Sequence, residues 1–279
     1  MLVNLKYVLD LAERGGFCVP AFNVYNMESC MGAIYAAEEM RAPVILQVYP
    51  RLMKEETGYY LSPIILAAAK RATVPVCFHL DHGPSELETT RSLRYGATGI
   101  MLDGSTLPFE ENIALTKRVA ETCSYLDIQV EGELGHVGMT SDEGHDEFTT
   151  PEDAKRFVEE TGVACLAVAV GTAHGKYKKP PKLDIERIKA IREATNNTAL
   201  VLHGGSGVPD EEIRRAVAAG IRKMNFATDI CYTFLDSCLE ELKKPDRPIA
   251  IDSFMKKPIE AVKNFCISRI LLVSADGKA

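Results

Sequence analysis

Three of the six histidines in this chain are each followed by glycine: His82 in LDHG, His174 in GTAHGK and His203 in LHGGSG. Three imidazoles from separate segments, with no fourth obligate ligand, form the open kind of zinc site, which keeps one position for water or substrate. Asp81 directly precedes the first histidine, so its carboxylate reaches the same place as a general acid/base or as an orienting partner for a ligand. Glu131 and Glu133 are two apart and share one face of an extended segment. One of them offers the metal an alternative ligand, and the other packs in a polar layer. His79 lies deeper in its apolar run and suits a core or supporting role, whereas His136 and His145 fall in a polar loop.

Glycine-rich turns follow the histidines, in HGK at 174–176 and HGGSG at 203–207, and a further apolar run ends in NFATD at 225–229. Such turns let backbone amides approach an anion closely. Lys176 and Lys178 add charge there or form a solvated basic turn. A metal that polarises a carbonyl, beside a pocket that anchors phosphate, suits retro-aldol cleavage. A Schiff-base route needs a lysine projecting inside the fold, and Lys223, at the beginning of its run, is expected at the wrong end.

These groups need a scaffold that brings distant segments to one rim. Short β-branched apolar runs begin at residues 17, 43, 74, 98, 127, 164, 198 and 221, separated by amphipathic stretches at 28–41, 85–95, 110–123, 151–161, 184–194 and 210–219. Near-continuous apolar strands alternating with helices indicate parallel pairing covered on both faces. Eight such units predict an α/β fold, a single (β/α)8 TIM barrel spanning residues 1–279 with a C-terminal helical extension. In a barrel the chemistry stands at the C-terminal ends of the strands. Those ends are polar here: Asn23, Asp81-His82, Asp103, Glu131 with Glu133, Gly171 to His174, His203 and Asn225. The acidic, glycine-containing segment 136–151 is expected to act as a mobile lid, and 243–258 as an irregular start to a post-barrel tail at 243–279.

With 46% hydrophobic residues the 279-residue chain buries a large core. A net charge of -7 offers no basic surface for nucleic acid or anionic membrane, so any anion must be gripped locally and the partner is expected to be a small molecule. The eight cysteines include no CxxC pair and sit largely in apolar runs, as reduced core residues do. Without a signal-like or membrane-spanning stretch, a cytoplasmic location is expected.

Taken together, LDHG at 80–83, DGS at 103–105, EGELG at 131–135, GTAHGKY at 171–177, LHGGSG at 202–207 and NFATD at 225–229 resemble the class II fructose- and tagatose-bisphosphate aldolases, in order and over nearly the whole chain. The resemblance implies a homodimer or homotetramer of zinc-dependent barrels that cleave a ketohexose 1,6-bisphosphate to dihydroxyacetone phosphate and glyceraldehyde 3-phosphate. It implies that His82, His174 and His203 hold one Zn2+, that Glu133 meets the metal in an alternative position, and that Asp81 exchanges a proton with the C4 oxygen. Asn23, Gly175, Gly204, Gly205, Ser206, Asn225, Phe226, Ala227 and Thr228 match the site for dihydroxyacetone phosphate, which a monovalent cation, Na+ or K+, often accompanies. The chain departs from the family where Ser141, beside Asp142 and Glu143, replaces the lid glutamate. It departs again where Tyr49 replaces a serine or threonine and where Lys256 replaces the arginine that grips the far phosphate. Ala227 and the stretch EFTTPEDAKRFVEETGV look like the tagatose branch, while the C4 configuration stays open. An aldolase of the same family acting on another phosphorylated sugar is the alternative within this class. Two further alternatives share these motifs: a zinc hydrolase acting on a sugar phosphate, and a sugar-phosphate sensor built on a degenerate barrel.

Overall fold

The computed structural model describes residues 1–135, 148–172 and 181–279. In chain order the elements are β1 (Leu2–Val3), α1 (Leu5–Gly15), β2 (Val19–Asn23), α2 (Met27–Glu39), β3 (Val44–Val48), α3 (Pro50–Lys54), α4 (Glu56–Arg71), β4 (Val76–Gly83), α5 (Glu86–Arg94) and β5 (Gly99–Leu102). There follow α6 (Phe109–Ser124), β6 (Gln129–Leu134), α7 (Pro151–Thr161), β7 (Cys165–Val168), α8 (Ile185–Ala194), β8 (Ala199–Leu202), α9 (Asp210–Ala219), β9 (Ile221–Phe226), α10 (Thr228–Lys243) and α11 (Ile251–Leu272). Strands β2 to β9 pair in parallel with their chain neighbours, and β9 returns to β2, which closes an eight-stranded (β/α)8 barrel. Each of the eight apolar runs contains one barrel strand. The short β1 adds to β4 through Leu2↔Val76.

Local chemistry sets the element ends. Helix α1 starts where the Asn4 side chain accepts a hydrogen bond from the Tyr7 amide, and it stops at Gly16, in the left-handed region at φ 62°. Leu5, Val8, Leu9 and Ala12 share its buried face. That face contacts β2, β3, β4, β6 and β9, so α1 closes the N-terminal mouth of the barrel. In α7, Pro151 opens the helix, Thr150 caps it and Gly162 ends it at φ 70°. Six of the eight cysteines are buried and none is paired.

Two sequence expectations change. Residues 148–151 do not belong to a loose lid: the Thr149 hydroxyl donates to the Leu134 carbonyl and accepts from the Ala169 amide at 2.9 Å, so they are tied to the barrel. The rest of that segment, 136–147, lies outside the described residues. The tail is irregular only to residue 250, because α11 begins at Ile251 and runs through Pro258. Pro258 cannot donate the backbone bond of a helix interior, but it is buried where α11 packs on α2 and α10, and that packing offsets the loss.

Candidate active site

Asp81 and His82 are adjacent, and on a regular strand their side chains would leave on opposite faces. Here His82 takes φ 47°, and the β4–β5 register shifts between Leu80 and Gly83. This irregularity turns both side chains to the C-terminal rim. A non-glycine residue in that region costs about 1–3 kcal/mol, which the surrounding contacts must offset. His203 follows β8, and its ring lies edge-on to His82 with centroids 4.5 Å apart. Asp81, His82 and His203 each offer an atom within 4.8 Å of the others, and His82 does the same with Asp103 and Glu133.

The two rings are held by carboxylates. His82 Nδ1 is 2.8 Å from Asp103 Oδ2 and 3.6 Å from Glu133 Oε2, and Asp103 is itself fixed by the Ser105 amide at 3.1 Å and hydroxyl at 2.7 Å. His203 bonds Glu131 Oε1 through Nε2 at 2.9 Å and lies 3.3 Å from Glu133 Oε2 through Nδ1. Burial works against protonation of His82, yet Asp81, Asp103 and Glu133 together pull it up to about 10. Burial likewise opposes the charged form of Asp81, but His82, His203 and Lys223 hold its carboxyl below the usual range. The rim is therefore built to hold positive charge among imidazoles and carboxylates, and that donor set fits a divalent cation such as zinc.

Asp81 is clamped on both oxygens. Asn23 Nδ2 donates to Oδ2 at 2.7 Å and Asn225 Nδ2 to Oδ1 at 2.9 Å. Each amide is oriented in turn by a second donor: Gln47 Nε2 bonds Asn23 Oδ1 at 2.7 Å, and Lys223 Nζ bonds Asn225 Oδ1 at 2.6 Å. Gly204 to Ser206 form the turn after β8, with Gly204 at φ 63°. Gly205 lies so close to β9 that a Cβ there would stand 2.9 Å from the Asn225 carbonyl. Ser206 Oγ accepts from the Asp229 amide at 3.4 Å. Ala227 precedes α10 and gives it no side-chain cap, and Thr228 is its first residue.

Other expected site residues are placed less directly. The Phe226 side chain is buried between Phe22 and Phe265, at ring separations of 5.9 and 6.4 Å, so only its backbone is available to a ligand. Tyr49 covers His82 at 6.2 Å, with the Arg51 guanidinium 5.8 Å over its own ring. Lys256 is exposed on α11 and makes no ion pair among the described residues, while Lys257 pairs with Glu260 at 2.7 Å. His174 and Gly175, Lys176 and Lys178, and the lid residues His136, Ser141, Asp142, Glu143 and His145 lie outside the described residues.

Sequence reasoning missed Gln47 and gave Asp103 no role, although DGS at a strand end could have suggested a carboxylate beside the histidine. It also misplaced Lys223. That residue is the third of β9, but its side chain is fully buried inside the barrel and reaches Glu131 Oε2 at 2.9 Å. Held by a carboxylate and by Asn225, it is an ion-paired ammonium and not a free amine. His79 stays in the interior, 3.5 Å from Glu131, and burial with Lys223 pushes it down to about 3, so it is neutral.

A closed parallel barrel with histidines and carboxylates gathered at its C-terminal rim is the construction of a barrel enzyme with a metal-competent centre. Residues 3–278 match the family described as fructose-bisphosphate aldolase class-II, and the chain belongs to that family. The YdjI aldolase from Escherichia coli K12 is similar over 100% of both chains, with 35% identity and a TM-score of 0.90. A fructose-bisphosphate aldolase from Campylobacter jejuni shares the fold at 24% identity and a TM-score of 0.83, over 100% of this chain and 97% of that one.

Proposed function

We propose that this class II aldolase cleaves a ketohexose 1,6-bisphosphate, of fructose or tagatose configuration, reversibly to dihydroxyacetone phosphate and glyceraldehyde 3-phosphate. The observation that carries the reading is the doubly clamped, ionised Asp81 beside His82 and His203. His82, His203 and His174 would hold one zinc ion, with Glu133 as the alternative ligand. Zinc, when bound, supplies a Lewis acid that draws electron density from the substrate carbonyl. Asp81, fixed by Asn23 and Asn225, takes the proton of the C4 hydroxyl in cleavage and returns it in condensation. The turn Gly204–Gly205–Ser206, with the backbone of Asn225 to Thr228 at the start of α10, receives the phosphate of dihydroxyacetone phosphate, at the last two barrel strands where such sites are common; a monovalent cation accompanies it there. Turnover of both bisphosphates with added zinc tests the reading, and no cleavage of either would overturn the substrate assignment.

Lys256 is proposed to hold the distal phosphate. An ammonium is a point charge without the bidentate fork of arginine, so binding persists with less control of orientation. Lys256→Ala is expected to lower condensation efficiency about ten- to a hundredfold with glyceraldehyde 3-phosphate and to leave unphosphorylated glyceraldehyde unaffected. Equal losses with both aldehydes, or none, would remove Lys256 from the site.

Self-association as a homodimer or homotetramer is supported by α10. Tyr232, Leu235, Leu239 and Leu242 are 52%, 56%, 52% and 54% exposed and recur at three–four–three spacing, a stripe suited to a second helix. Sedimentation of the double variant Leu235→Lys, Leu239→Lys is expected to show a smaller assembly than the native chain. An unchanged mass would place the interface elsewhere. No described helix is long and apolar enough to cross a membrane.

A further inference from the structure

Beneath the rim, Glu131 and Lys223 form a fully buried ion pair, with Nζ 2.9 Å from Oε2 and 3.3 Å from Oε1. Neither residue is assigned a part in the reaction above, and a buried pair of this kind is weak support for stability alone, because apolar replacements of similar volume are often as stable. Its contacts point elsewhere. Glu131 Oε1 is 2.9 Å from His203 Nε2, and Lys223 Nζ is 2.6 Å from Asn225 Oδ1.

We propose that the Lys223–Glu131 pair is a positioning device that sets both the coordinating nitrogen of His203 and the aim of Asp81. Resting on the reading of His203 as a metal ligand, the inference follows from donor and acceptor roles. A carboxylate only accepts, so the hydrogen between Glu131 and His203 belongs to Nε2. That leaves Nδ1, which lies 3.3 Å from the same Glu133 oxygen that is 3.6 Å from His82 Nδ1, as the nitrogen turned to the metal. Lys223 neutralises Glu131, with Nζ nearest to Oε2. An ammonium only donates, so the Asn225 atom it meets is the carbonyl oxygen. The Asn225 amide nitrogen must then point at Asp81 Oδ1, as observed at 2.9 Å. One buried cation thus orients a ligand through Glu131 and the proton-transfer carboxylate through Asn225.

The test is the double variant Lys223→Met, Glu131→Met, which removes both charges together and leaves neither stranded. If the pair only fills space, this apolar barrel keeps its zinc affinity and turnover. If it positions, the variant unfolds at a temperature near that of the native chain but binds zinc about 10- to 100-fold more weakly, as loss of an outer partner typically costs. Zinc affinity is read by competition with a chromophoric chelator, and turnover alongside it. Affinity and kcat both within about twofold of native would overturn the inference. Should the double variant fail to fold, the native zinc-loaded protein with 15N-labelled histidine decides. A solvent-protected Nε2–H on His203 is expected, and a metal-bound Nε2 overturns the proposal. Failure of the native chain to bind zinc at all would instead remove the metal reading on which the inference rests, a different result from native binding that the variant matches.

Discussion

Asp81→Asn is expected to lower kcat at least about 10²-fold, the lower end of what a positioned general acid/base contributes, while zinc content stays near that of the native protein. Asparagine matches the aspartate in shape, so packing barely changes, but it presents one oxygen and one NH2 where Asp81 presents two acceptors. Both neighbours are donors there, Asn23 Nδ2 at 2.7 Å and Asn225 Nδ2 at 2.9 Å. Asn225 cannot turn its amide over to adapt, because the donor-only Lys223 already bonds its carbonyl oxygen, and Asn23 can do so only if the buried Gln47 amide turns with it. One buried NH2 therefore meets another, at a cost of about 1–3 kcal/mol, and a lower melting temperature accompanies the slower chemistry. Single-turnover kinetics at saturating zinc separate the two effects. A variant that lost its metal and recovered full rate in excess zinc would make Asp81 an orienting partner only.

His203→Ala is expected to abolish tight zinc binding and with it turnover, an effect larger than the roughly 10- to 100-fold commanded by outer partners. Chelation of the native enzyme should have the same consequence, and zinc or cobalt should reverse it. The substitution also strips Glu131 of its bond to His203, leaving the Lys223 contact, the Cys165 thiol at 3.8 Å and the His79 approach at 3.5 Å. Borohydride in the presence of substrate should trap nothing, in either protein, since Lys223 is committed to Glu131 and Asn225 as an ammonium. Substrate-dependent borohydride inactivation of the metal-free enzyme would overturn the metal route in favour of a Schiff base.

Much of this was legible in the sequence because it depends on local pattern. The eight apolar runs fixed the strands, since buried parallel strands need near-continuous apolar residues, and polar residues at their ends marked the rim. The parts that were not legible depend on register between distant strands. No local signal says that Lys223 lies level with Glu131, or that Asn225 and Asn23 close on Asp81 from both sides. The sequence placed Asp81 and His82 at one site by adjacency, but on a regular strand they would face opposite ways, and it is the left-handed turn at His82 that brings them together. The expected irregular stretch 243–258 ended early, because Pro258 is tolerated inside α11, where burial and the packing of that helix on α2 and α10 offset its missing backbone bond.

The clamp on Asp81 has one more consequence, for where its proton can go. Proton wires run through groups that can swap donor and acceptor roles, such as hydroxyls and waters. Behind Asp81 the contacts are amide and ammonium donors, from Asn23 and Gln47 on one side and from Asn225 and Lys223 on the other. An amide pinned in this way passes nothing on. Through these two amides no proton passes inward, so on the Asn23 and Asn225 sides a proton taken from substrate returns toward the mouth. In condensation with deuterated solvent, exchange at Asp81 is thus expected to run through the mouth and not through these amides.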